Sequence, residues 1–255
     1  STPKPSSAAS DVYKRQAPLR GIKVVEFTHM VMGPTAGVIL GDLGADVIKV
    51  EPLKGDNTRH LKGSGAGYFP MYNRNKRSIA LDLKHPKGRE VALQLIQSAD
   101  IVLENFRTGT MAKLGLDYES LKADHPGLIY CSLKGFLSGP YENRVALDEV
   151  TQMMGGLAYM TGLPDRPLRA GSSVIDITGG MFGVIAILSA LHRRRETGEG
   201  SHVTSALFET TAFLVGQHMA QQAVSGDAPP PMSVRQSAWA VYDLSLIHIS
   251  EPTRL

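Results

Sequence analysis

Asp176 stands just ahead of Thr178-Gly179-Gly180, at the entrance to a long apolar run. A carboxylate in that place can do two things. It can cap a helix by accepting amide hydrogens that the first turn leaves without partners. It can also act as a nucleophile, because a helix N-terminus favours the ionised form and is expected to keep it charged at neutral pH. The neighbouring glycines would let another backbone or a ligand come close. On the motif alone the cap is the simpler account. Asp148, at the start of a preceding helical segment, is a second carboxylate and again most simply a cap.

Other reactive groups point to less. Glu51 ends an apolar segment roughly where a dinucleotide fold keeps its ribose-binding acid. The loop at residues 28–34 holds no G-x-G-x-x-G, however, so a strand-end carboxylate in water is the favoured account. The eight histidines show no metal-ligand spacing and the single cysteine has no partner, which argues against a metal site and excludes a disulfide framework. Cys131 lies in an apolar run and reads as core filling in a reducing compartment. Ser172-Ser173 lack the glycine-flanked elbow of hydrolases. Arg193-Arg194-Arg195 closes a helix, where the dipole and solvent account for three cations.

The elements that must position these groups follow from the apolar patterning. Strands are expected at residues 22–28, 46–51, 78–83, 100–104 and 128–133. Helices are expected from Gly33-Pro34 to Leu43 and at 88–97, with short ones at 111–114 and 118–123. Near-continuous apolar strands alternating with helices predict a Rossmann-like, doubly wound parallel sheet of the α/β class. Helices at 148–160 and 178–195, a strand at 201–206 and a helix at 208–224 follow. The run at 177–191 holds three glycines and is too short to span a bilayer, so it reads as a buried helix. The segment GDAPPPM at 226–232 is a proline-rich link. Residues 17–225 are therefore expected to form the N-terminal part of a large domain, and 226–243 the linker and start of a smaller one.

The two ends read as foreign to this fold. Residues 11–16, DVYKRQ, back-translate to codons whose reverse complement spells LSLIHI, the sequence at 244–249. Such a pair is expected of a sequencing adapter read in both directions, so residues 1–16 and 244–255 are set apart as adapter-derived. The formal net charge is +3, and two of those charges fall in the first tail (Lys4, Lys14 and Arg15 against Asp11). What remains is nearly neutral and gives no reason to expect nucleic acid or a membrane surface as a partner.

Several stretches, in order and at matching intervals, resemble the class III (CaiB/BaiF-type) coenzyme A-transferases. They are residues 19–24 (LRGIKV), 27–29 (FTH), Gly33-Pro34, 43–51 (LGADVIKVE), 73–79 (NRNKRSI), 102–106 (VLENF) and 197–200 (TGEG). The resemblance runs through nearly all of 17–224. It implies that Asp176 is the nucleophile that carries coenzyme A, with Asp148 as the supporting carboxylate. It also implies coenzyme contacts at Met30, Leu81, Asn105, Phe106, Lys113 and Lys134, two of them cationic as suits a phosphate-bearing ligand. Pro52 stands where some members contact the nucleotide with arginine, and Val31 where some have a glutamine.

No permanently bound cofactor is implied; acyl-CoA and a small carboxylic acid are the substrates. A cytoplasmic, interlocked homodimer is expected, with a glycine-rich loop supplied by the smaller domain, and the chain as it stands is expected to be inactive. A related racemase branch uses a histidine–aspartate pair where this chain has Leu147-Asp148, and leucine cannot take a proton. A non-catalytic acyl-CoA-binding fragment is the other alternative.

Overall fold

In the computed structural model, residues 17–234 are described. The segments 1–16 and 244–255, set apart above as adapter-derived, lie outside the described residues, as does 235–243. Six strands form one parallel sheet in the order β3-β2-β1-β4-β5-β6. They are β1 (Lys23–Phe27), β2 (Asp46–Glu51), β3 (Lys76–Ala80), β4 (Ile101–Glu104), β5 (Ile129–Lys134) and β6 (Ser201–Ala206). That order is the doubly wound one, and the winding reverses between β1 and β4. The α/β expectation therefore holds.

Alternate strand residues feed two cores, which is why the strands read as apolar throughout. On one face Val24, Val47, Ile101, Leu103 and Cys131 pack with α1 (Met32–Asp42) and α8 (Val174–Thr197). On the other, Val25, Phe27, Val102 and Tyr130 pack with α3 (Pro86–Gln97) and the short α4 (Thr110–Leu114) and α5 (Tyr118–Leu121). The remaining helices are α2 (Tyr68–Tyr72), α6 (Asp148–Met154), α7 (Leu157–Thr161) and α9 (Leu207–Ser225).

Several boundaries differ from expectation for identifiable reasons. The helix expected at 148–160 is two helices, because Gly156 adopts φ +87° and turns the chain between α6 and α7. The third strand pairs earlier than expected, over Lys76–Ala80, where its register follows β2. α8 starts at Val174 and runs for 24 residues, so Asp176 lies inside its first turn and does not precede it. Its length also overturns the reading of that run as too short to cross a membrane: by length and composition α8 is long and apolar enough. One side of it packs on α1, β5 and β6, while Met181, Ile185 and Leu188 on the other side are exposed, as are Phe213, Met219 and Val224 on α9. Arg194 is not simply a solvated helix-end cation. It donates to Asp100 Oδ1 at 2.9 Å and to the Gly127 carbonyl at 3.0 Å, tying the end of α8 to the sheet.

α1 and α8 touch through glycine. A Cβ placed on Gly180 would stand 2.7 Å from the Met32 carbonyl oxygen and 2.9 Å from Thr35 Cβ. This contact brings the first turns of both helices to the same sheet edge. Gly180→Ala is expected to cost about 1–3 kcal/mol by overpacking, seen as a lower melting temperature. An unchanged transition would mean that the helices separate without cost.

Candidate active site

The loop between β1 and α1, with the first turn of α1, forms one wall, and this stretch is held from three other parts of the chain. Lys49 of β2, only 1% exposed, donates to the Thr28 carbonyl at 2.7 Å. Its charge is balanced by Asp56 at 3.0 Å and Glu26 at 3.6 Å. Asn105, just after β4, accepts from the His29 amide at 2.9 Å and donates to the His29 carbonyl at 2.8 Å. Lys76 of β3 donates to the Pro34 carbonyl at 2.9 Å. Between these clamps Met30 sits at φ +63°, a left-handed conformation that an unbranched non-glycine residue keeps only when its surroundings enforce it.

Opposite that loop the two aspartates meet. Asp148, 7% exposed, accepts the Ile175 amide at 2.8 Å and the Asp176 amide at 3.2 Å on one carboxylate oxygen. Those are amides that an N-cap would take, and Ser173 at the N-cap position makes no side-chain cap bond. Asp148 is thus a cap, but of α8 and not of its own helix. Gln152 donates to its other oxygen at 2.6 Å and is itself fixed by accepting the Ala170 amide at 2.8 Å.

With the first-turn amides taken, the Asp176 carboxylate accepts no hydrogen bond among the described residues. Burial, and then the Asp148 charge, push its pKa up to about 7, with Arg169 pulling the other way. The expectation that the helix end keeps Asp176 ionised at neutral pH is corrected accordingly. The amides that would have done so serve Asp148.

A cavity of about 270 Å³ joins these walls at the C-terminal edge of the sheet, where the winding reverses. Met30, Asn105, Lys134, Asp148 and Asp176 all line it, together with Arg169 and Leu147. A neighbouring cavity of about 220 Å³ shares His29 and Met30 and adds Glu51, Pro52 and Phe106. The rings of Phe106 and His29 stack across it with centroids 5.9 Å apart.

Leu81 and Lys113 line neither cavity. Leu81 packs at the margin of the second core and Lys113 is exposed on α4. Lys134 is less available as a cation than its type suggests. It is paired with buried Glu104 at 2.7 Å and donates to the Phe106 carbonyl at 2.7 Å. Glu51 is not a carboxylate in water. Burial would raise its pKa, but Arg59, Ser78 and the Asp56 amide outweigh that and hold it at about 2.

Arg169 was not singled out from the sequence. A lone arginine between Pro167 and Gly171 gives no local sign that its loop folds over the aspartates.

A doubly wound α/β protein with paired carboxylates in its switch-point crevice is the class that fold and site define. The chain belongs to CoA-transferase family III, which it matches over residues 19–245. It is 41% identical over 233 residues to a succinate–glutarate CoA-transferase of Agrobacterium fabrum, covering 86% of this chain and 58% of that protein. To a formyl-CoA:oxalate CoA-transferase of Bradyrhizobium it is 42% identical over 195 residues, covering 74% of this chain and 46% of that protein. The crystal structure of a CaiB/BaiF family protein from Brucella suis superposes with a TM-score of 0.81 at 45% identity, over 85% of this chain and 60% of that one. The chain thus spans less than two thirds of the length of these relatives.

Proposed function

We propose that the full-length protein moves coenzyme A between an acyl-CoA and a free carboxylic acid, with Asp176 as the covalent carrier. The observation that carries this reading is the division of labour between the aspartates. Asp148 is held by three hydrogen bonds, whereas Asp176 opens on the cavity with its carboxylate uncommitted and its pKa raised. A carboxylate with few hydrogen bonds and a raised pKa is the better nucleophile, since less solvation must be lost on attack.

The steps balance as follows. An ionised Asp176 oxygen attacks the thioester carbonyl, a C–O bond forms, the C–S bond breaks, and coenzyme A leaves as thiolate from a mixed anhydride. The thiolate attacks the aspartyl carbonyl of that anhydride, expelling the donor acid and leaving an aspartyl thioester. The acceptor carboxylate then attacks this thioester and displaces the thiolate, giving a second anhydride. The thiolate attacks its acyl side and frees Asp176 with the new acyl-CoA. No proton need move, so the protein's work is to position carboxylates and exclude water.

Coenzyme A enters as substrate in this reading and not as a resident cofactor. The names of the relatives, which pair coenzyme A with succinate, glutarate and oxalate, support a small acid as acceptor. Leu147, on the cavity wall beside Asp148, has no proton to exchange, which weighs against racemase chemistry.

The test is to incubate the full-length protein with an acyl-CoA and a panel of free acids, following new thioesters by mass spectrometry. Formation of the acceptor's thioester is expected, with no turnover from the 255-residue chain alone. An interlocked dimer would complete the site, since the uncovered α8 and α9 faces offer apolar area for it. Epimerisation of an α-branched acyl-CoA without transfer would overturn the reading.

A further inference from the structure

We propose that Arg169 anchors the second carboxylate of a dicarboxylic acceptor, and so sets the class of acid the site accepts. This rests on the transferase reading above and deepens it.

The argument starts from charge. An anionic acceptor entering the cavity meets Asp148, Glu149 and, above neutral pH, an ionised Asp176. Two cations line the same cavity among the described residues. Lys134 is already committed to Glu104 and the Phe106 carbonyl, so its charge is largely spent. Arg169 is the other.

Its guanidinium is held but not filled. Nε donates to the Ala170 carbonyl at 3.2 Å and Nη1 to Glu149 at 2.9 Å. Nη2 is 3.9 Å from Asp148 Oδ1, beyond hydrogen-bond reach. Glu149 is 54% exposed and Arg169 40%, so their ion pair is of the solvated kind that contributes little. A substrate carboxylate can therefore replace Glu149 on the Nη1–Nη2 edge at small cost. The planar fork suits a carboxylate held through both oxygens.

Such a grip is wrong for the carboxylate that reacts. That group must bring a free lone pair to the aspartyl thioester, and a guanidinium on both its oxygens would draw its charge away. The fork suits a carboxylate that does not react. A two-ended acid satisfies both needs, with one end at Asp176 and the other on Arg169.

The competing account is that Arg169 merely steadies Glu149 and its own loop. Steady-state transfer by the full-length protein, at saturating acyl-CoA, separates the two, using succinate and glutarate against acetate and butyrate. Arg169→Met is expected to lower kcat/KM for the dicarboxylates about 10–100-fold more than for the monocarboxylates, chiefly through KM, as for loss of a charged hydrogen-bonded pair. Equal losses for both classes would overturn the proposal in favour of the steadying role. If the methionine variant does not fold, Arg169→Lys gives the same decision, since it keeps the charge and loses the fork. A selective rise in dicarboxylate KM supports the anchor, and a uniform fall in kcat sinks it. Wild-type transfer to monocarboxylates alone would remove the proposal and leave the transferase reading standing. No transfer to any acid would remove that reading itself.

Discussion

Asp176→Asn in the full-length protein is expected to lower acyl transfer by on the order of 10³-fold or more while coenzyme A still binds. An amide of the same shape fills the same place but cannot form the anhydride. The wild-type protein treated with hydroxylamine during turnover should carry a hydroxamate confined to the Asp176 peptide, because every covalent intermediate in the cycle, anhydride or thioester, is carried on that one carboxylate. Transfer retained in the asparagine variant would remove the covalent route.

The same substitution has a stability consequence of opposite sign. Asp176 has a folded-state pKa near 7 against an ordinary value of 3.8. Between those values the folded state holds the proton more tightly than the unfolded chain, so stability falls as pH rises from about 4 to about 7. Asp176→Asn should flatten that fall and melt higher than wild type at pH 8. Glu51 acts in the other direction: its folded value near 2 lies below its ordinary 4.5, so its contribution is present above pH 4.5 and is lost as pH drops from there towards 2. A melting profile of wild type and variant across pH 3–9 separates the two groups.

Much of the scaffold was legible because apolar runs report burial on both faces directly. Val24 and Val25 enter different cores, as do Val102 and Leu103, and such runs suit only a sheet covered on both sides. α8 starts at Val174, ahead of the expected 178, because its cap is remote in the chain. Nothing near Ser173 in the chain shows that Asp148 will supply the acceptor.

Charges inside the fold were the least legible. Lys49 and Lys76 each have a side chain 1% exposed, one inside an expected strand and the other two residues ahead of one, and their use as clamps on the Thr28 and Pro34 carbonyls depends on neighbours from other parts of the chain. By type Lys134 is a cation suited to a phosphate, and its pairing is not visible in the chain because Glu104, its partner, comes from the adjacent strand β4. The resemblance pointed to five residues that meet in the cavity, while Leu81 and Lys113 stand outside both described cavities. A ligand as long as coenzyme A can reach beyond a cavity, so that placement bears on the local pocket and not on the coenzyme's full path.

Substitution of Asp148 is expected to act on stability and on chemistry at once, through one carboxylate. Asp148→Ala leaves the Ile175 and Asp176 amides and Gln152 Nε2 without their acceptor in a buried place, for a loss of about 2–4 kcal/mol. Asp148→Asn is milder and more informative. Its oxygen can still accept the two amides, but its nitrogen then faces Gln152 Nε2, donor against donor. Gln152 cannot simply turn over, because its own oxygen holds the Ala170 amide. That conflict should cost about 1–3 kcal/mol. Meanwhile the asparagine carries no charge, so one of the two forces that raise the Asp176 pKa is gone. In the wild type the acid limb of kcat/KM should fall near pH 7, and in Asp148→Asn it should move to lower pH, with the remaining rise due to burial. A limb that stays in place while stability drops would mean that Asp148 serves the fold alone. A limb that moves with little loss of stability would mean that Gln152 adapts, and that the cap and the charge are separable functions of the same side chain.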